Sequence, residues 1–193
     1  MRVFRLATGG LLTLSLIPAL ILSLVLGSPA VADVADYPAI KVTRVVASGL
    51  DTPWGLAFLP DGSALVSERD SGKIKRIDPR GRVGTNVTTV GRIKGVASAG
   101  EGGLLGIAVA TPQGSSAPVL FAYLTSRSDN RVVRVQLLKG GKRLGKQQPI
   151  VTRIPKATNH NGGRLLVGTD QTLFIATGDA GDPKSAQDRG LLS

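Results

Sequence analysis

The chain has 193 residues, no cysteine and a formal charge of +11. The missing cysteines exclude disulfides, and with them any lipid anchor of the lipoprotein type, so packing and hydrogen bonds must hold the fold. The positive charge raises nucleic acid as a partner, but the cations are scattered beside turn residues with few aromatics near them, which argues against it.

Residues 1–32 contain Arg2 and Arg5 and no acid. An apolar run from Leu11 to Leu26 is broken only by Thr13, Ser15, Pro18 and Ser23, and Ala30-Val31-Ala32 follows. A charged start, an apolar middle and a small-residue end predict a secretory signal peptide. The run falls short of the ~20 residues of a bilayer span, so no stable membrane span is expected. The expected location is secreted, periplasmic or extracellular.

From residue 33 onward the pattern is all-β: short Val/Ile/Leu/Thr runs alternate with Gly, Pro, Asp and Asn, and no amphipathic helix period is sustained. Lys41 to Ala47 reads as a first strand and Gly55 to Phe58 as a second. Leu59-Pro60-Asp61-Gly62 supplies turn chemistry before Ala64 to Glu68. Asp70-Ser71-Gly72 turns again, Lys73 to Ile77 alternates charged and apolar residues, and Asp78 to Gly81 ends the unit. A second three-strand unit covers Leu104 to Val109, Val119 to Leu124 and Arg131 to Leu137. A third begins with Arg164 to Val167 and Leu173 to Thr177. The spacing of roughly 50 to 60 residues suits the blade of a β-propeller, in which small residues let the innermost strands crowd the axis. About three blades fill residues 33–193, fewer than a closed ring needs, so the sequence reads as a partial propeller truncated at its C-terminus. A small β-sandwich is the competing architecture.

Three glycine-rich segments lie at the ends of the expected inner strands. They are Leu50-Asp51-Thr52-Pro53-Trp54-Gly55-Leu56, Gly100-Glu101-Gly102-Gly103-Leu104-Leu105-Gly106, and Asn159-His160-Asn161-Gly162-Gly163-Arg164-Leu165, the last followed by Thr177-Gly178-Asp179. Loops at one end of a propeller converge on its axis, so these segments are candidates for a single pocket. His160 is the only histidine, and imidazole is the side chain that ordinarily gains and loses a proton near neutral pH. Nothing in the sequence groups acids densely enough for a calcium site.

With Ser67-Glu68-Arg69 and Ala186-Gln187-Asp188, these segments resemble the N-terminal part of the soluble glucose/sorbosone and aldose sugar dehydrogenases. The resemblance implies a six-bladed propeller that uses pyrroloquinoline quinone and calcium to oxidise an aldose at its anomeric carbon, with electrons passing to an external acceptor. It makes His160 the base and Asp179 the carboxylate that orients it. Glu101 falls where the glucose-oxidising branch has a substrate-contacting glutamine, keeping an acceptor and losing two donors. Asn159 falls where that branch has an aspartate, and Asn159-His160 is closer to the aldose branch. Arg164 reads as a strand-start cation and Trp54 as core more than as a sugar platform. The main cofactor and calcium ligands implied by the family fall beyond Ser193, so no cofactor-binding residue is assigned. Two alternatives stay open: an exported, non-catalytic propeller fragment that binds carbohydrate or cell-wall glycan, and a calcium-dependent lactonase-like propeller.

Overall fold

The computed structural model describes residues 42, 44–187 and 190. Met1–Lys41 and Val42–Ser193 are separate units, and the expected signal segment, 1–32, lies outside the described residues. Among the described residues no helix is long and apolar enough to cross a membrane.

Among the described residues, ten strands and one short 3-10 turn, Ser185–Gln187, make an all-β structure. Strands β1 (Pro53–Phe58), β2 (Ala64–Glu68), β3 (Lys73–Ile77) and β4 (Val87–Arg92) form a four-stranded antiparallel meander. Strands β5 (Leu104–Ala110), β6 (Val119–Thr125), β7 (Asn130–Leu138) and β8 (Arg143–Ile154) form a second. A third sheet pairs β9 (Gly162–Val167) with β10 (Leu173–Thr177).

Strands β5, β6 and β7 of the second sheet are buried on both faces, and their side chains alternate between two cores. Leu120, Ala122 and Leu124 of β6 join Leu65, Ile74 and Val90 of the first sheet. Tyr123 and Phe121 point the other way, with Leu105 and Val132, toward Leu165 of β9. This double burial explains why β5 and β6 read as continuous apolar runs rather than alternating ones. Each buried Leu or Val contributes about 1.5–3 kcal/mol relative to exposure.

The first strands of the sheets, β1, β5 and β9, lie side by side. Gly55 of β1 donates its N–H to Ser67 Oγ (2.7 Å), and Ser67 Oγ donates to the Leu105 carbonyl of β5 (2.7 Å). Ser67 is fully buried, so this one hydroxyl couples two sheets in a dry seam. On the other side of β5, a Cβ at Gly106 would collide with the carbonyl oxygen of Gly163. Small residues crowd the inner strands as the sequence suggested.

Two expectations need correction. Residues 44–47 form no strand. Among the described residues no neighbouring strand pairs with them; the Val46 carbonyl instead accepts from Asn86 Nδ2 (2.8 Å), and Ala47 packs against Ala64, Val66 and Ile77. The units have four strands rather than three, because β4 and β8 escaped notice. Both are outer strands with much of their length exposed, and Thr, Gly, Lys and Gln interrupt their apolar residues. Pro149 sits in β8, where an edge strand tolerates its missing N–H.

Gly106→Ala is expected to destabilise the protein by about 2–4 kcal/mol through backbone displacement. Gly114→Ala, at a positive φ but with open space around it, is expected to cost about 1 kcal/mol. Urea denaturation of the two variants makes the comparison. Asp61 is held well below the usual carboxylate range, at about 2, by the Ser63 hydroxyl and N–H and then by Arg76. Its depressed value adds stability that is present above about pH 4 and lost as pH falls toward 2. Asp61→Asn should therefore flatten the stability–pH curve in that window, measured by chemical denaturation at a series of pH values.

Candidate active site

His160 stands at the end of the loop that leads into β9, with φ +54°. Its backbone is pinned at both ends of the peptide. The N–H donates to Glu101 Oε2 (2.8 Å), and the carbonyl accepts from Ala180 N–H (3.2 Å). The second contact is possible because residue 178 is glycine: a Cβ there would overlap the His160 carbonyl. Glu101 N–H in turn donates to the Thr158 carbonyl (2.8 Å). Residue 101, ahead of β5, is thus locked to the histidine loop by two hydrogen bonds.

The side chains of His160 and Asp179 meet, with Nδ1 and Oδ1 2.9 Å apart. Asp179 Oδ1 also accepts from Gly181 N–H (2.9 Å). That N–H, followed by the imidazole, holds the Asp179 carboxyl below its ordinary range, so it is ionised at neutral pH. An ionised partner at this distance favours the tautomer with the proton on Nδ1, which leaves the Nε2 lone pair free to accept a proton. The carboxylate also stabilises the imidazolium that would result. The His160 side chain is 55% exposed and the Asp179 side chain 19%, so the ring is open to solvent while its partner is shielded.

Asn159 is exposed beside Gly181. Trp54 and Arg164 lie together on a cleft of about 240 Å³ between β1, β5, β9 and β10, with Gly106, Gly163 and Thr177. Trp54 is 51% exposed, which removes it from the core, and the Arg69 guanidinium covers its ring at 5.6 Å. Among the described residues no group of three His, Cys, Asp or Glu could hold a metal ion.

A sequence profile of the family "Glucose / Sorbosone dehydrogenase" matches residues 50–192. The chain belongs to the glucose/sorbosone dehydrogenase family. It is similar to quinoprotein glucose dehydrogenase B of Acinetobacter calcoaceticus, 28% identical over 72% of this chain and 30% of that protein. It is 26% identical to an aldose sugar dehydrogenase of Escherichia coli over 80% of this chain and 43% of that one. Among solved structures, the PQQ-bound aldose sugar dehydrogenase of Streptomyces coelicolor superposes with a TM-score of 0.72 at 46% identity, covering 79% of this chain and 46% of that one. The chain therefore spans less than half the length of these family members.

Family motifs led to His160, Asp179, Glu101 and Asn159, but not to the buried polar cluster beneath them. Asn161 is 2% exposed. Its Oδ1 accepts from Asn130 Nδ2 (3.0 Å) and Ala157 N–H (3.1 Å), its Nδ2 donates to the Ala157 carbonyl (2.9 Å), and its own carbonyl accepts from Tyr123 Oη (2.9 Å). Asn130 continues inward, accepting from Thr125 Oγ1 (2.7 Å) and donating to the Pro155 carbonyl (2.7 Å). Burial pushes the Tyr123 phenol far up, so it serves as a fixed donor. The one signal in the sequence was a second Asn beside His160, too generic to separate from turn chemistry.

Asn161→Leu should orphan Ala157 N–H and C=O and weaken Asn130, costing roughly 2–4 kcal/mol. Tyr123→Phe removes only one hydrogen bond and should cost about 1 kcal/mol. Urea midpoints at constant slope check both.

Proposed function

We propose that this chain carries the base-bearing part of a sugar dehydrogenase site, within a six-bladed propeller of which it forms about three blades. The observation that carries this reading is the Nδ1–Oδ1 contact of 2.9 Å between a solvent-open His160 and a shielded Asp179. Family membership, and the PQQ-bound state of the Streptomyces coelicolor relative, support the reaction class.

In the proposed reaction an aldose places its anomeric hydroxyl against His160 Nε2. Pyrroloquinoline quinone, when bound, supplies the two-electron acceptor for the hydride that leaves C1. His160 takes the hydroxyl proton as the C1–O bond gains double-bond character, and the sugar leaves as a lactone. Asp179 keeps the imidazole in the productive tautomer and balances its charge as it becomes imidazolium. Glu101 Oε2 is engaged by the His160 N–H, which leaves Oε1 to accept a sugar hydroxyl; Asn159, exposed next to His160 in the chain, offers a donor and an acceptor. Arg164 and the face of Trp54 are of the right chemical kind for a planar, anionic quinone, one as a cation and the other as a stacking surface. They make only part of a cradle. Calcium is implied by the resemblance; no step is assigned to it. Residues 1–32 direct export, and the electrons pass to an external acceptor.

The test uses the longest natural polypeptide that contains these residues, supplied with pyrroloquinoline quinone and calcium. Aldose-dependent reduction of a redox dye is expected. His160→Ala should lower turnover by roughly 100-fold or more and Asp179→Asn by a smaller factor, with the circular dichroism spectrum preserved. Absence of dye reduction across a panel of aldoses would defeat the reaction class, whereas undiminished turnover in His160→Ala would defeat only the assigned base.

A further inference from the structure

The excess positive charge is distributed in a pattern. Residues 79–100 contain no Asp or Glu, and neither do residues 130–169. Strand β4 lies in the first stretch and β8 in the second, and the fold brings these two outer strands together. Between them runs a groove of about 560 Å³ lined by Arg92, Lys94, Arg143 and Lys146, with Gln147 and the apolar floor of Val90, Val135 and Leu144. All four cations are exposed. The ion pairs among the described residues use other cations.

The groove is also braced. Lys94 N–H donates to Gln147 Oε1 (2.9 Å), and Gln147 Nε2 donates back to the Lys94 carbonyl (3.0 Å). This paired bond ties the two sheets across the groove. Gly91 sits against Leu144, where a Cβ would come within 3.0 Å of the side chain, so the strands cannot be separated there by a bulkier residue without adjustment. Like charges lining one groove repel one another, and a bound counter-charge relieves that repulsion. The groove has no aromatic side chain on which bases could stack, which separates it from surfaces that bind single-stranded nucleic acid.

We infer that the groove between β4 and β8 is a binding site for a linear polyanion without bases, a chain of phosphate groups. It lies at the outer edge of each sheet, whereas His160 and the cleft lie at the inner edge, so it is separate from the active site. Arg and Lys each contact phosphate oxygens, and binding releases the counterions condensed on the chain.

The experiment titrates the full chain with inorganic polyphosphate at several salt concentrations and follows binding by calorimetry. By analogy with single strands, four contacts predict a log–log salt slope near −3. The triple variant Arg92→Gln, Arg143→Gln, Lys146→Gln should reduce the slope to about −1 and weaken binding at low salt at least tenfold. A control with Lys156→Gln and Lys184→Gln, exposed cations outside the groove, should stay close to the unaltered protein. An equal loss in the control, or no loss in the triple variant, overturns the assignment. Oligothymidylate is titrated in parallel; tighter binding to it than to polyphosphate overturns the choice of ligand. Should the triple variant fail to fold, amine acetylation of the unaltered protein decides the matter. Polyphosphate should protect Lys94 and Lys146 and leave Lys156 reactive, and loss of that difference rejects the site.

Discussion

The seam of inner strands sets the terms for the rest of this fold. Strands β1, β5 and β9 approach so closely at Gly55, Gly106 and Gly163 that a side chain has no room there, and at those points the contact is made by glycine backbone and one buried hydroxyl. Ser67 spends both its donor and its acceptor capacity on Gly55 and Leu105, in different sheets. Such a seam is intolerant of change, because interiors packed this densely transmit strain instead of absorbing it. It brings loops that are far apart in sequence, around residues 54, 101 and 160, to the same end of neighbouring strands. A shallow surface of loops thereby gains positions as fixed as those of the strands below.

The histidine illustrates how that rigidity is used. Its ring is more than half exposed, so packing cannot be what orients it. Backbone hydrogen bonds on both sides of residue 160 fix where the ring starts, and Asp179 fixes how it turns. The left-handed backbone of a non-glycine residue costs on the order of 1 kcal/mol, offset by Glu101, Ala180 and the buried Asn161 cluster. Glu101 has a structural engagement that its motif position does not reveal: one carboxylate oxygen is committed to the loop before any sugar arrives. An amide at the same position could offer its carbonyl to the same N–H, so this lock does not require the acid.

Legibility followed burial. The inner and middle strands could be read within a residue or two, since β2 and β10 have clear apolar runs, β3 alternates charged and apolar residues, and turn residues flank them. Strands β4 and β8 could not, because an outer strand with one face in water is held by backbone pairing to its neighbour, and pairing leaves no trace in composition. The reverse error at residues 44–47 has the same origin: Val45, Val46 and Ala47 have β-propensity, but a strand also requires a partner. In the site, the titratable residues were legible through motif and spacing. Asn130, Asn161, Thr125 and Tyr123 were not, since a buried polar network depends on three-dimensional proximity of common residue types.

Charge completes the same radial logic. The carboxylates of Glu101 and Asp179 belong to loops at the inner strands, while the groove between β4 and β8 is lined by cations and no acid. In a four-stranded meander the outer strand lies about 14 Å from the inner one, three inter-strand spacings away. That exceeds the Debye length of about 8 Å at physiological ionic strength. A cationic rim can therefore attract a polyanion without imposing its field on the proton held between His160 and Asp179. The acidic loops, for their part, leave the rim's charge uncompensated. The sheet keeps the two chemistries apart by width alone, and the meander order, inner strand first and outer strand last, is what converts acid-free stretches of sequence into one basic surface.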